Sequence, residues 1–157
     1  GRADEELRAL EEADIEVEVV PGITTALAAA AATRQPLTKR GVSRSVAFFT
    51  SSTAPELDGQ SAIPDTDTLV QYMGGREAIA TAQRLLEQGR RADTPVVVIE
   101  NCSRPDQRIL RLTIETLARG LGTAHGPVLV MLGDAMKQRS HQAPDAADME
   151  CERRQIA

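Results

Sequence analysis

Five short apolar runs punctuate the chain, and their patterning sets the fold class. "IEVEVV" (15–20) alternates, with Ile15, Val17 and Val19 on one face and Glu16 and Glu18 on the other, the signature of a half-buried strand. "SVAFFT" (45–50), "TLVQYM" (68–73), "PVVVIE" (95–100) and "PVLVML" (127–132) are nearly continuous instead, as strands covered on both faces are. Helical periodicity fills the gaps between them. Residues 4–13 place Leu7, Leu10 and Ala13 on one stripe, with Asp4, Glu5 and Glu6 near the N-terminus, where they oppose the helix dipole favourably. "GGREAIATAQRLLEQG" (74–89) aligns Ile79, Ala82, Leu85 and Leu86 and stops at Gly89. "QRILRLTIETLARG" (107–120) predicts a strand from Arg108 to Leu112 that turns into a helix capped by Thr113. Strands alternating with helices give an α/β fold.

Breakers sharpen these boundaries. Pro21-Gly22 ends the first run, since proline cannot donate to a ladder and glycine frees the backbone. "ITTALAAAAAT" (23–33) then predicts an alanine-rich helix with Thr24 or a neighbour as its N-cap, closed by Gln35-Pro36. Residues 51–67 show no periodicity and predict a long loop, and the polar stretch 137–157 predicts a disordered tail.

Composition narrows the class. The 157 residues suffice for one domain with a core, and with two Phe, one Tyr and no Trp that core must be aliphatic. A net charge of −5, with no basic, aromatic-studded face, argues against nucleic acid as a partner. No apolar stretch approaches the roughly 20 residues that span a bilayer, so no membrane is expected as a partner. The charged start is no secretory signal, so the cytoplasm is the expected location. Cys102 and Cys151 are far apart, without a CxxC pair or a Cys/His cluster, which argues against a disulfide framework or a zinc site.

Candidate chemistry gathers at the ends of the elements. Thr24 and Thr25 stand at a helix N-terminus whose free amides could hold polar atoms of a ligand, although an ordinary cap on a buried helix explains them as well. Thr38, Lys39 and Arg40 in "LTKRG" offer a hydroxyl and two cations, either for carboxylates or simply as a solvated loop. "YMGG" ends a strand and opens a helix, which places Tyr72, Met73 and the glycine amides where open α/β sheets bind ligands; Met73 could equally be core. Cys102 also follows a strand, in "IENCSRPDQR", with no histidine near it in sequence; a small residue lining a site suits it better than a nucleophile. Gly133-Asp134 reads as a turn. No residue stands out as a base, so the catalytic set is left empty.

Taken in order, "GRADEEL", "VEVVPGITTALAAAA", "PLTKRG", "TLVQYMG", "TPVVVIENCSRPDQR" and "GPVLVMLGD" resemble the tetrapyrrole (precorrin) methylase family, from residue 1 to about 136. The PLTxRG, YMG and EN-x-[ST]-x-P-[DK]-Q-R combination is most similar to the branch that C-methylates uroporphyrinogen III. The resemblance implies S-adenosylmethionine as methyl donor, S-adenosylhomocysteine as product, and methylation at C2 and C7 to give precorrin-2 for sirohaem and cobalamin synthesis. It also implies a mixed β-sheet flanked by helices, an anionic tetrapyrrole as substrate and a homodimer. Members have two α/β domains, and the G-x-G-P-G-D and GGDP segments of the first are absent from this sequence. The resemblance therefore implies a remnant of that N-terminal domain at 1–20 (its last helix and strand), a C-terminal methylase domain at 21–136, and the missing first domain as a partner. Implied cofactor contacts are Thr24, Thr25, Met73, Cys102, and Pro127, Val128 and Leu129 through their main chain. Implied substrate contacts are Thr38 and Arg40. Three positions depart from the family pattern: Cys102 stands where Gly or Ala is usual, Lys39 where His is frequent, and Ser51-Ser52 where Gly-His is common. A family member acting on a later precorrin, or a non-catalytic ligand-binding module, are the alternatives.

Overall fold

A computed structural model describes residues 3–51 and 62–138. Residues 52–61 of the expected loop, Ser52 among them, and the tail from 139, with His141 and Cys151, lie outside the described residues. In chain order the elements are α1 (Ala3–Glu12), α2 (Thr25–Thr33), β1 (Val46–Thr50), β2 (Thr68–Tyr72), α3 (Gly74–Glu87), β3 (Pro95–Glu100), β4 (Arg108–Thr113), α4 (Ile114–Arg119), β5 (Val128–Leu132) and a 3₁₀ turn at Asp134–Met136.

The strands form one sheet in the order β1-β2-β5-β3-β4. β1 runs parallel to β2, while β5 lies antiparallel to both β2 and β3, and β3 is antiparallel to β4. The sheet is mixed, as the resemblance implies. Alternation along the three central strands sends side chains to two separate cores. Leu69, Val96, Val98, Val128, Val130 and Leu132 pack with Ala78, Ala82 and Leu85 of α3 and Ile114 and Leu117 of α4. Val70, Val97, Ile99, Leu129 and Met131 face the other way, toward Ala26 and Ala29 of α2 and the 3₁₀ residues Ala135 and Met136. Burial on both faces is why β2, β3 and β5 read as nearly continuous apolar runs.

Several boundaries fall where local chemistry puts them. Thr113 caps α4, its hydroxyl accepting from the Thr116 amide at 3.2 Å. Gly89 follows α3 with φ 84°, a conformation open to residues without a Cβ. α2 stops at Thr33, with Arg34 in the left-handed region, two residues before the expected Gln35-Pro36 break.

Three expectations are corrected. Residues 15–20 form no strand: 15–24 carry neither helix nor strand, and Ile15, Val19 and Val20 are exposed. Alternation alone cannot make a strand, because its N–H and C=O groups need a neighbouring strand, and none of the described strands lies beside this segment. β1 is an edge strand with Phe48 exposed rather than a run covered on both faces. The buried stripe of α3 is Ala78, Thr81, Ala82 and Leu85, with Ile79 only half-buried. Among the described residues, no helix is long and apolar enough to cross a membrane.

Candidate functional site

Because β5 runs against β2 and β3, its N-terminal end meets their C-terminal ends at one edge of the fold. A cavity of about 330 Å³ opens there. Its wall is drawn from Thr25 of α2, Tyr72 and Met73 after β2, Asn101, Cys102 and Arg104 after β3, and Pro127, Val128 and Leu129 entering β5, with Ile99 beneath. Six of the seven sequence-predicted cofactor residues therefore share one cavity: Thr25, Met73, Cys102, Pro127, Val128 and Leu129. The seventh, Thr24, adjoins it through Tyr72.

Thr24 occupies the N-cap of α2, with φ −69° and ψ 147°, yet its side chain does not cap the helix. Its hydroxyl instead shares a short hydrogen bond with the Tyr72 phenol. Tyr72 is also held edge-on by Phe48, with ring centroids 6.4 Å apart at 80°. Two hydroxyls are thus fixed beside the free amides at the start of α2.

Met73 marks the place where the sheet lets go. Its φ of 55° is left-handed, which costs a side-chain-bearing residue about 1–2 kcal/mol. The β2–β5 ladder ends at Gln71↔Val130; continuing the register would pair Val128 with Met73, but Met73 has turned away into α3. On the other side, the Asn101 amide donates to the Pro127 carbonyl at 3.0 Å. Since peptide groups alternate along a strand, the Val128 N–H and C=O point to the β2 side, where the ladder has stopped. That leaves a donor and an acceptor side by side at the cavity wall. α3 can begin so close only because Gly74 lacks a Cβ, which would stand 2.7 Å from Val130 Cγ2.

The turn after β3 closes the opposite wall. Asn101 and Ser103 both have positive φ, 52° and 66°. The turn is tied by Asn101 Nδ2 donating to Asp106 at 2.7 Å, the Ser103 amide to Gln107 Oε1 at 2.8 Å, and the Arg104 amide to the Asn101 carbonyl at 2.9 Å. The Asn101 carboxamide oxygen is buried without a hydrogen-bond partner among the described residues. Among the described residues, Arg104 is the sole formally charged side chain in the wall, and no carboxylate or histidine lines it.

Thr38 and Arg40 are not brought to this cavity. Both are exposed on a turn closed by the Lys39–Ser43 bridge, with backbone hydrogen bonds of 2.9 and 2.8 Å. Ser43 Oγ ties that turn to Thr68 Oγ1 at 2.8 Å, at the N-terminal end of β2. That point lies roughly 13 Å along the strand from the cavity. Conversely, Asn101 and Arg104 were not singled out by sequence reasoning, although both lie in the stretch after β3 that drew attention to Cys102. Their signal was positional: they follow the C-terminal end of a strand beside the predicted Cys102.

The sequence model of the Tetrapyrrole (Corrin/Porphyrin) Methylases matches residues 1–118. A siroheme synthase of Neisseria meningitidis is 38% identical over 139 residues, which cover 87% of this chain and 29% of that protein. Among solved structures, the native uroporphyrin-III C-methyl transferase of Thermus thermophilus matches with a TM-score of 0.80 at 30% identity, over 93% of this chain and 64% of that one. The same enzyme complexed with S-adenyl homocysteine matches with a TM-score of 0.71 at 33% identity, over 86% of this chain and 60% of that one. The chain thus spans less than a third of the curated relative's length.

Proposed function

Because the chain belongs to the tetrapyrrole (corrin/porphyrin) methylase family, we propose that its cavity holds S-adenosylmethionine and forms the cofactor half of a site that C-methylates uroporphyrinogen III at C2 and C7. The observation that carries this reading is the convergence of Thr25, Met73, Cys102, Pro127, Val128 and Leu129 on one cavity.

The residues present suit the cofactor. A purine base offers an exocyclic amine beside a ring nitrogen, and the Val128 C=O and N–H, left open where the ladder stops, match that donor and acceptor. The apolar wall of Ile99, Leu129 and Pro127 suits the faces of such a ring. Thr25, with the Thr24–Tyr72 hydroxyl pair and the free amides of α2, supplies polar partners for ribose or carboxylate oxygens. The Met73 thioether is polarisable and 60% exposed, ready to pack beside a ligand. Cys102 narrows the wall where the family usually has Gly or Ala.

When bound, S-adenosylmethionine supplies an electrophilic methyl group on a sulfonium. The part left to these residues is positioning, which sets the reacting atoms in line and carries much of the rate for such a transfer. The wall residues contain no carboxylate, histidine or lysine, so the proton acceptor for a pyrrole carbon is not among them. We assign that role, and the remainder of the tetrapyrrole pocket, to the N-terminal methylase domain that the family resemblance implies, with 1–20 as its last part and 21–136 as the cofactor-side domain. The exposed apolar residues Ile15, Val19, Val20, Ile23 and Leu27 fit a covering surface of that kind or the second protomer of a homodimer. A substrate acetate or propionate can meet Arg104 at the cavity mouth; one reaching Thr38 and Arg40 would do so away from the cavity.

Calorimetric titration with S-adenosylhomocysteine, alone and with a family N-terminal domain supplied separately, tests this. Binding, in either case, that is lost on Thr25 and Met73 substitution is the expected result. No binding in either case overturns it. Product analysis with uroporphyrinogen III then separates methylation at C2 and C7 from the action of a later precorrin methylase.

A further inference from the structure

Glu100 ends β3 with its side chain only 8% exposed, on the sheet face opposite the cavity, in the company of Val98, Leu110 and Leu121. A carboxylate so placed needs partners, and it has three. Its Oε1 accepts from the amides of His125 at 2.5 Å and Gly126 at 2.9 Å. Its Oε2 accepts from Arg108 Nη1 at 3.0 Å, across the β3–β4 ladder where the two residues are direct partners. His125 and Gly126 are the residues that lead into Pro127 and Val128. Glu100 is also paired with Val128 in the β3–β5 register. From the other side, Asn101 holds the Pro127 carbonyl, and a Cβ on Gly126 would overlap the Asn101 carboxamide. The segment leading into β5 also contains Gly122 at φ 70°, following Gly120 at φ 143°, so its course is not set by helix or ladder. Leu121 packs against the core, and among the described residues the hydrogen bonds that hold 121–127 to the body run through this one carboxylate and its neighbour.

We propose that Glu100, charge-paired with Arg108, is a positioning residue for the purine base. From behind the sheet it clamps the His125 and Gly126 amides and so fixes where the Val128 N–H and C=O stand. It cannot touch a ligand in the cavity; it acts only through that backbone. This rests on the reading of the cavity as an adenosyl site, and it makes base selectivity, not merely affinity, depend on Glu100.

The test compares S-adenosylhomocysteine with S-inosylhomocysteine, whose purine carries an acceptor at C6 and a donor at N1, the reverse of adenine. Titrations use the full chain, and the N-terminal domain if binding needs it, for wild type, Glu100→Ala and Glu100→Gln. The wild type should prefer the adenosyl ligand by about tenfold or more, as expected of a site that reads a donor–acceptor pair. Glu100→Ala should weaken the adenosyl ligand about tenfold and bring the two affinities toward equality. Glu100→Gln, which keeps an acceptor oxygen but loses the charge pair, should fall between and guards against a variant that fails to fold. In the free chain, amide hydrogen exchange at His125 and Gly126 should quicken in both variants. Equal weakening of both ligands, or unchanged exchange at these amides, overturns the clamp. Failure of the wild type to bind either ligand overturns the adenosyl reading, and base selectivity with it; the exchange result still decides whether the clamp exists.

Discussion

The two ends of the sheet are built on opposite plans. At the cavity end, β2 and β3 stop in left-handed residues, Met73 and Asn101, and the peptide groups of Val128 are left facing a gap. At the far end, polar groups are tied to one another. Asp67 Oδ2 accepts from the Arg44 amide at 2.8 Å, the Ser45 amide at 3.0 Å and the Ser45 hydroxyl at 2.9 Å. The Gly133 amide closes on the Pro95 carbonyl at 3.0 Å, and Thr94 Oγ1 on the Arg91 carbonyl at 2.7 Å. A satisfied end fixes the register of the strands, so the other end can keep strained backbone and open hydrogen-bonding groups without losing the fold. Substitutions at the far end should therefore cost stability, and those at the cavity end should change binding.

The largest effect is expected at Gly133. Its φ is 135°, and a Cβ there would overlap the Asp67 carbonyl. Gly133→Ala should destabilise the chain by about 3 kcal/mol or more, measured by urea unfolding, because both backbone strain and a backbone clash oppose it. A change under 1 kcal/mol would mean that the far end is not rigid.

Met73→Gly should separate the two properties. Relief of the left-handed strain should stabilise the chain by up to about 1 kcal/mol, while the lost thioether contact weakens S-adenosylhomocysteine about tenfold. Loss of both stability and affinity would place Met73 in the core instead. Cys102→Ala tests crowding in the same wall and should tighten the cofactor by about threefold, the scale of one small contact relieved. Weaker binding would show that the thiol is a useful contact.

The pH dependence belongs to the far end. The Arg44 amide foremost, then the Ser45 hydroxyl and amide, hold the Asp67 carboxyl below its ordinary 3.8. A depressed folded-state value means that this contribution is complete above 3.8 and drains away as pH falls through the lower folded value. Acid unfolding of Asp67→Asn should lack that step, and an unchanged acid limb would remove Asp67 from the argument. The smallest effect is expected at Arg40. Arg40→Ala should leave S-adenosylhomocysteine affinity unchanged by calorimetry, since its turn is tied to the far end of β2.

Much of this was legible in the sequence. Nearly continuous apolar runs marked β2, β3 and β5 because burial on both faces favours apolar side chains and admits a polar one such as Gln71 only where it finds hydrogen-bond partners. The Thr113 cap and the Gly89 stop are local chemistry, readable within a few residues. Residues 15–20 misled because strand formation depends on a neighbour that the alternation of Ile15, Val17 and Val19 cannot supply. For the site, the resemblance named residues spread over more than 100 positions, from Thr24 to Leu129, which strand ends then gathered. It also named Thr38 and Arg40, whose turn lies elsewhere because α2 carries the chain from the cavity toward the other end of the sheet.

What the sequence alone determined is the inventory: which segments bury both faces, where glycine permits a turn, and which hydroxyls, thioether and amides are on offer. Tertiary structure decided what that inventory does. The antiparallel placement of β5 between β2 and β3 brings the start of one strand to the ends of two others, and no local pattern encodes that. Only there does Met73 leave Val128 without a partner on the β2 side, Thr24 turn from its helix to Tyr72, and Glu100 reach behind the sheet to the loop that carries Val128. Hydrogen bonds between residues far apart in the chain make the site, and they exist only once the strands have paired.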